Sequence, residues 1–146
     1  MRVDAHVHLF PPAVRDDRGR YLGRDMTFRA LYSNTEAKLS TAEEVLESMY
    51  HSDIQKAVAV NIGWETHELC CEANSYLLDM ARRYPDFLVA FCSVNPLAGE
   101  RAVEEIERCA QLGARGVGEL HPDYQGFDLD NKPQEHFGFS GSTEVQ

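Results

Sequence analysis

The sequence predicts an α/β fold in which parallel strands alternate with helices. Residues 57–63 and 87–94 are nearly continuously apolar, a pattern typical of strands that are covered on both faces. Apolar side chains recur with helical period after Thr41, across residues 66–84 and across residues 100–112. Strands that alternate with helices of this length form right-handed βαβ units around a parallel sheet.

The chain begins with a predicted strand that carries two histidines. Side chains alternate between the two faces of a strand, so we expect Asp4, His6 and His8 on one face. The segment that follows, residues 9–40, contains prolines and glycines, and we expect it to be a long irregular loop. A loop of this length in a compact domain is usually functional or disordered.

The first two helices have recognisable boundaries. Thr41 and Glu44 stand at the spacing of a capping box, which predicts that the first helix begins there. Pro85 blocks the continuation of the second helix, because proline has no N–H and its ring clashes with the preceding turn.

A third helix and a fourth strand complete the regular part of the chain. Helical periodicity predicts that the third helix buries Val103, Ile106 and Ala110. Gly113 follows where a left-handed C-terminal cap is expected. The fourth strand is predicted at residues 115–121.

The composition is that of a globular protein with a single core. The chain has 146 residues, of which 43% are hydrophobic and 26% are charged. A net charge of -10 argues against a nucleic-acid partner, because phosphate binding requires a basic surface. The apolar runs are too short to span a membrane. The amino terminus lacks the apolar core of a signal peptide, so we expect a cytoplasmic protein.

The cysteines are consistent with a reducing compartment. Cys70 and Cys71 are adjacent, Cys92 lies in a predicted strand, and Cys109 lies on a predicted helical face. The sequence has no C-x-x-C pair, so we interpret the cysteines as small buried hydrophobic residues or free thiols, not as zinc ligands.

The histidines of the first strand predict half of a divalent-metal site. His6 and His8 are separated by one residue, which aims both imidazoles to the same side of a strand. Glu119 and His121 share a face of the fourth strand, and ligands bind beyond the carboxyl ends of parallel strands. Together these side chains form a ligand set for zinc, manganese or another divalent ion. Two alternatives remain open: solvated histidines on an edge strand, and an ion pair between Glu119 and Arg115 or a loop arginine.

The segment of residues 9–40 is rich in arginine and aromatic side chains. If it folds over the histidines, one or two arginines could clamp a substrate carboxylate in bidentate fashion. The alternative is a solvated loop in which the arginines pair with Asp16, Asp17 and Asp25. The residues concerned are Arg15, Arg18, Arg20, Arg24 and Arg29, with Tyr21, Phe28 and Tyr32 between them.

Several separated motifs resemble those of the amidohydrolase superfamily. The motifs are Asp4-Ala5-His6-Val7-His8, Arg83-Tyr84-Pro85-Asp86, Val94-Asn95-Pro96 and the run from Gly113 to Pro122. The sequence is most similar to the branch of metal-dependent hydrolases and decarboxylases that resemble aminocarboxymuconate-semialdehyde decarboxylase. The resemblance covers residues 1–130.

This resemblance implies a (β/α)8 TIM barrel with a divalent metal at the carboxyl ends of its strands. The paired histidines His6 and His8 would hold the ion, and Glu119 stands where the fourth strand supplies a further ligand in many members. We expect zinc, with manganese and iron as alternatives. The metal would lower the pKa of a bound water and make hydroxide available for attack.

The chain departs from the family pattern in its length. A family barrel needs roughly 250 residues, and this sequence supplies about four strand-helix units, a half barrel. Strands that would carry the family's later histidine ligands and catalytic aspartate are not predicted. We expect a barrel-type domain at residues 1–130 and an irregular, disordered tail at residues 131–146, in which His136 would be solvated.

Two functions are therefore predicted as alternatives. The first is a metal-dependent hydrolase or decarboxylase that acts on a small, carboxylated substrate through a metal-activated water. The second is a truncated, catalytically inactive half barrel that binds metal weakly or associates with itself through unpaired strand edges. A flavodoxin-like module is disfavoured because no glycine-rich loop follows the first strand. Neither catalytic nor substrate-binding residues can be assigned.

Overall fold

The predicted parallel sheet is present in the computed structural model, which describes residues 1–129. The strands of this part of the chain are β1 (Val3–His8), β2 (Lys56–Val60), β3 (Leu88–Cys92) and β4 (Gly116–Val117). They lie in the order β1-β2-β3-β4, and each pairs in parallel with the next. The helices are α1 (Pro12–Asp16), α2 (Arg18–Leu22), α3 (Met26–Tyr32), α4 (Ala42–His51), α5 (His67–Arg83), α6 (Glu100–Gln111) and α7 (Pro122–Gln125).

One face of the sheet is covered by helices and the other is open. Alternate residues of β2 and β3, such as Ala57, Ala59 and Ala90, are buried in a core with side chains of α4, α5 and α6. On the opposite face, Val58 and Phe91 are only partly buried. The apolar runs predict strands that are covered on both faces. Within the described residues, this prediction is confirmed for the face that the helices cover and not for the opposite face.

The first strand does not alternate regularly. Its register against β2 shifts between Asp4 and Val7, and both of these residues pair with alanines of the covered face, Ala57 and Ala59. Because paired residues of neighbouring strands face the same side, Asp4 does not share a face with His8. The expectation that Asp4, His6 and His8 follow strict alternation is therefore wrong, owing to this irregularity.

The fourth strand is shorter than predicted. Regular pairing covers Gly116–Val117 instead of residues 115–121. Gly116 allows a close approach to β3, because a Cβ at this position would lie 2.6 Å from the ring of Phe91. The chain then stays on the sheet through single hydrogen bonds, the first from the Gly118 N–H to the Cys92 carbonyl at 2.8 Å.

The helix boundaries agree with the sequence signals. The Glu44 carboxylate accepts the Thr41 N–H at 2.8 Å, as a capping box requires. Thr66 caps α5 by accepting the Leu69 N–H at 3.3 Å, and α5 ends at Arg83, two residues before Pro85.

The buried face of α6 differs from the prediction. Ala102, Glu105 and Cys109 are buried, whereas Val103 is 36% exposed and Ala110 is exposed. Of the predicted core positions, Ile106 is partly buried and packs against the core. The physical reason is that hydrogen bonds satisfy the Glu105 carboxylate in the interior, which lets a charged residue take a core position. Hydrophobic periodicity cannot detect such a position.

The segment of residues 9–40 is not an irregular loop. It contains α1, α2 and α3, which pack a second hydrophobic cluster. Asp25 anchors α3, since its carboxylate accepts the N–H groups of Phe28 at 2.8 Å and Glu65 at 2.7 Å. The aromatic members of the cluster are Phe10, Tyr21, Phe28, Trp64 and, at its margin, Tyr32.

The remaining expectations concern the cysteines and the carboxyl-terminal residues. All four cysteines are free thiols, and Cys70, Cys92 and Cys109 are buried. In the described part of the chain, no helix combines the length and the hydropathy needed to cross a membrane. The predicted tail at residues 131–146, with His136, lies outside the described residues.

Candidate metal centre

Three of the four predicted ligands meet at the carboxyl end of the sheet. The Nε2 atoms of His6 and His8 are 2.9 Å apart. The Glu119 Oε2 atom lies 2.8 Å from Nε2 of His8 and 3.2 Å from Nε2 of His6. Among the described residues, these three form a group whose ligand atoms all lie within 4.8 Å of one another.

Curvature of the sheet makes this contact possible. His6 and His8 belong to β1, and Glu119 follows β4, so two strands separate them in the sheet order. In a flat sheet, the first and fourth strands would be about 14 Å apart, at about 4.8 Å per strand spacing. The sheet therefore curves toward its open face, as the wall of a barrel does.

The donor atoms fit a divalent cation. Imidazole nitrogens lie at about 2.0–2.1 Å from zinc and carboxylate oxygens at about 2.0–2.2 Å. Two ligands at such distances, seen from the ion at tetrahedral or octahedral angles, are about 3.0–3.5 Å apart. The distances of 2.9, 2.8 and 3.2 Å between the ligand atoms are close to this range. Two nitrogens and one oxygen suit zinc, manganese or iron.

His8 has the environment of a neutral ligand. Burial lowers its pKa below the ordinary value, although the hydrogen bond that His8 makes to the Glu119 carboxylate opposes this shift. The imidazole is therefore neutral at pH 7, which is the form that binds metal. Its second nitrogen, Nδ1, lies 2.8 Å from the hydroxyl of Tyr32.

Glu119 is held through its backbone on both sides. Its N–H donates to the Asn61 carbonyl at 3.3 Å, and its carbonyl accepts the Ser93 hydroxyl at 3.1 Å. Asn61 and Ser93 each follow directly after a strand, β2 and β3 respectively, and both are fully buried. Asn74 of α5 fixes Ser93 in turn, with hydrogen bonds to its N–H at 2.8 Å and to its carbonyl at 2.9 Å.

Gln125 of α7 ties the loops at this end of the sheet together. Its side-chain amide donates to the carbonyls of Trp64 at 2.9 Å and Val94 at 3.0 Å, and accepts the His121 N–H at 2.8 Å. Gly63 is required beside it, because a Cβ there would lie 2.6 Å from the Gln125 Oε1 atom. The three loops that follow β2, β3 and β4 are thereby joined by one buried side chain.

The sequence profile of the Amidohydrolase family matches residues 3–139. This is most of the chain. The chain belongs to the amidohydrolase family. A search of the curated proteins gives no significant match.

Similar solved structures confirm the partial barrel fold of this amidohydrolase chain. One is 5-carboxyvanillate decarboxylase from Novosphingobium aromaticivorans, complexed with manganese and 4-hydroxy-3-methoxy-5-nitrobenzoic acid; it is 22% identical with a TM-score of 0.66, over 80% of this chain and 40% of that one. A second is 2,6-dihydroxybenzoate decarboxylase from Rhizobium. It is 22% identical with a TM-score of 0.55, and the match covers 84% of this chain and 42% of that one. A third is a dihydroxybenzoic acid decarboxylase from a Polaromonas species with bound manganese and 2-nitroresorcinol. It is 20% identical with a TM-score of 0.53, and the match covers 80% of this chain and 37% of that one.

The amidohydrolase chain thus spans about 40% of the length of the decarboxylase structure from Novosphingobium. Four parallel strands with helices on one face form part of a (β/α)8 barrel, as predicted. The open face of the sheet corresponds to the interior of such a barrel, because helices surround the outside of its strands.

His121 is the predicted site residue that stays outside the three-residue group. Its Nε2 atom lies 3.5 Å from Oε1 of Glu119, the carboxylate oxygen that does not face His6 and His8. Its ring packs against Tyr124 with a centroid distance of 5.3 Å.

The arginines of the amidohydrolase chain stabilise the segment of residues 9–40 itself. Arg15 pairs with Asp16 at 2.8 Å, which agrees with the predicted ion pairs. Arg18 donates to backbone carbonyls of the segment, at 2.8 Å to Asn34, and Arg29 donates to the carbonyl of Leu22 at 2.8 Å.

The sequence patterns did not reveal the polar residues that support the site. Asn61, Ser93 and Gln125 were not identified, and Tyr32 was noted only as an aromatic side chain between arginines. For Asn61 and Ser93 a signal existed, since each is a polar residue directly after a buried parallel strand, at the end where ligands bind. For Gln125 and Tyr32 the sequence offers no comparable signal.

Proposed function

We propose that this chain forms part of the divalent-metal centre of an amidohydrolase-type enzyme that decarboxylates or hydrolyses a small, carboxylated substrate. The observation that carries the proposal is the convergence of His6, His8 and Glu119 on one point, within 4.8 Å. These side chains would hold the ion. His121 remains a fourth candidate ligand because it contacts the other oxygen of Glu119.

Decarboxylation is the reaction that the similar structures favour. The structures from Novosphingobium, Rhizobium and Polaromonas are all decarboxylases, and two of them hold manganese. We therefore propose a carboxylated aromatic compound as the substrate class and manganese beside zinc as the candidate ion. When bound, a divalent ion polarises a coordinated substrate oxygen or, for hydrolysis, a water.

The residues of this chain have distinct proposed roles. His8 is a neutral ligand that burial keeps unprotonated, and Glu119 contributes a negative charge that offsets part of the charge of the cation. The side chain of His6 is 56% exposed toward the open face of the sheet. A substrate could therefore approach the ion from this side, and the exposed His6 would be its neighbour.

Metal titration of the purified chain tests the proposal. We expect the wild-type chain to bind zinc or manganese in calorimetry, and the double variant His6→Ala/His8→Ala to bind at least about 100-fold more weakly. The matched control is His51→Ala, which removes an exposed histidine at the end of α4. Equal affinity in the double variant and the wild type would refute the metal centre.

Catalysis requires a separate measurement. Release of carbon dioxide from hydroxylated benzoates, abolished by a chelator and restored by manganese, would support the enzyme. Metal binding without turnover on any such compound would favour the alternative, an inactive half barrel.

We also propose that a second copy can complete the barrel. β1 and β4 are the edge strands of the described sheet, and Val3 and Val117 are 47% and 45% exposed there. A two-fold axis along the barrel axis would place β1 of one copy beside β4 of the other in parallel, as a (β/α)8 barrel requires. Further strands from a longer polypeptide would occupy the same edges and are the alternative.

A further inference from the structure

The hydroxyl of Tyr32 contacts the candidate metal centre from the segment of residues 9–40. It lies 2.8 Å from Nδ1 of His8, while Nε2 of the same ring faces Glu119 at 2.8 Å. The two ring nitrogens of His8 are thus both engaged, one on each side of the ring. Tyr32 is the last residue of α3, a helix that the site described above does not otherwise use.

Packing holds the Tyr32 ring in place. The ring stacks on Phe28 with a centroid distance of 5.2 Å and meets Phe10 edge-on at 5.0 Å. Phe28 in turn stacks on the buried Trp64 at 5.2 Å. Since these rings belong to the second hydrophobic cluster, the cluster determines where the hydroxyl of Tyr32 lies.

We propose that Tyr32 is a positioning residue for His8: its hydroxyl fixes the rotation of the imidazole ring so that Nε2 points at Glu119 and the metal position. The role of α1 to α3 is then to carry this hydroxyl to the end of β1. The inference rests on the proposed function only in so far as Nε2 is a metal ligand. The orientation of the ring is a property of the metal-free protein as well.

A hydroxyl suits this position because it can both donate and accept a hydrogen bond. In the metal-free chain, the Glu119 carboxylate can only accept, so the Nε2–H of His8 donates a hydrogen bond to it and Nδ1 accepts the hydrogen bond from the Tyr32 hydroxyl. When Nε2 is a ligand, the ring proton is on Nδ1 and donates to the tyrosine oxygen.

The test uses Tyr32→Phe, which keeps the ring and removes the hydroxyl. We expect manganese affinity to fall by about 10- to 100-fold, as for other hydrogen-bond partners of ligating histidines. In the metal-free protein, the imidazole nitrogen resonances of His8 should shift toward a mixture of tautomers. The matched control is Tyr50→Phe, since Tyr50 is 84% exposed on α4; it should change neither quantity.

A second variant separates positioning from packing. Phe28→Leu disturbs the stack beneath Tyr32 but keeps its hydroxyl, so it should lower stability more than Tyr32→Phe and affinity less. If the variant that loses more stability is also the variant that loses more metal affinity, the role of Tyr32 is structural and the proposal is overturned.

The nuclear magnetic resonance measurement also separates this inference from the proposed function. If the wild-type chain binds no manganese, the proposed function fails, and the His8 resonances alone decide the role of Tyr32. Unchanged His8 resonances in Tyr32→Phe overturn the proposal, whatever the metal titration gives.

Discussion

Asn74→Asp is expected to destabilise the chain in a way that depends on pH. Asn74 of α5 is fully buried and contacts Ser93, directly after β3, and Glu105 of α6. Its amide nitrogen donates to Oε1 of Glu105 at 2.8 Å and to the carbonyl of Ser93 at 2.9 Å. The substitution replaces this nitrogen with a carboxylate oxygen, which would face the carboxylate of Glu105 at the same separation.

The magnitude follows from this distance. Two negative charges 2.8 Å apart repel each other by about 6 kcal/mol at an effective dielectric constant of about 20. Proton uptake by one carboxyl is less costly: at pH 7, protonating a group with an ordinary pKa of about 4 requires about 4 kcal/mol. We therefore expect the free energy of unfolding to fall by about 4 kcal/mol at pH 7.

The sign of the pH dependence is the specific part of this prediction. The shared proton raises the pKa of one carboxyl in the folded state above its value in the unfolded chain. The folded variant then binds more protons, so its stability rises by about 1.4 kcal/mol per unit as the pH falls from 7 to 5. In the wild type, the pKa of Glu105 lies near 2, so Glu105 contributes no such change in this range.

The control is Asn74→Leu, which removes the same hydrogen bonds without adding a charge. Urea unfolding, followed by circular dichroism and by the fluorescence of Trp64, the single tryptophan of the chain, measures both variants. Asn74→Leu should be destabilised equally at pH 5 and pH 7. Parallel pH profiles for the two variants would refute the reasoning.

Two further predictions concern acid stability and assembly. Burial raises the pKa of Glu105, but the hydrogen bonds from Arg108 and Asn74 outweigh it and lower the pKa from 4.5 to about 2. The ionised carboxylate therefore contributes stability above pH 4.5 that is lost as the pH falls toward 2, about 2 kcal/mol after allowance for the partial exposure of Arg108. Glu105→Gln should show a smaller loss of stability between pH 5 and pH 3 in urea unfolding; an unchanged loss would contradict this role. For assembly, light scattering should give about 33 kDa, twice the chain mass of 16.5 kDa, if two copies close the barrel; a mass of 16.5 kDa in solution would reject that proposal.

Strands and helices that depend on neighbouring residues were predicted well. β2, β3, α4 and α5 agree with the apolar runs and cap signals, because neighbouring residues decide periodicity and capping. The buried face of α6 was not predictable, since Glu105 is stable in the core through hydrogen bonds from Asn74 of α5 and from Arg108 of α6 itself. The irregularity of β1 and the shortness of β4 likewise depend on contacts with neighbouring strands.

The candidate site likewise could be predicted from the sequence only in part. The spacing of His6 and His8 at the end of a strand, and the place of Glu119 near the end of another, could be read from the sequence alone. The sequence could not show that Glu119 contacts His8, from which it is separated by 111 residues. It also could not show that His121 contacts the other carboxylate oxygen of Glu119. Nor could it show that Tyr32 is the partner of His8.

Local sequence therefore determined which side chains are available for metal binding, and tertiary structure decided which of them meet. The physical reason is that donor type and strand position are properties of short stretches of chain. Distances between β1 and the end of β4 depend on the curvature of the whole sheet. The buried hydrogen bonds of Asn61 and Ser93 then hold the backbone of Glu119 at that distance.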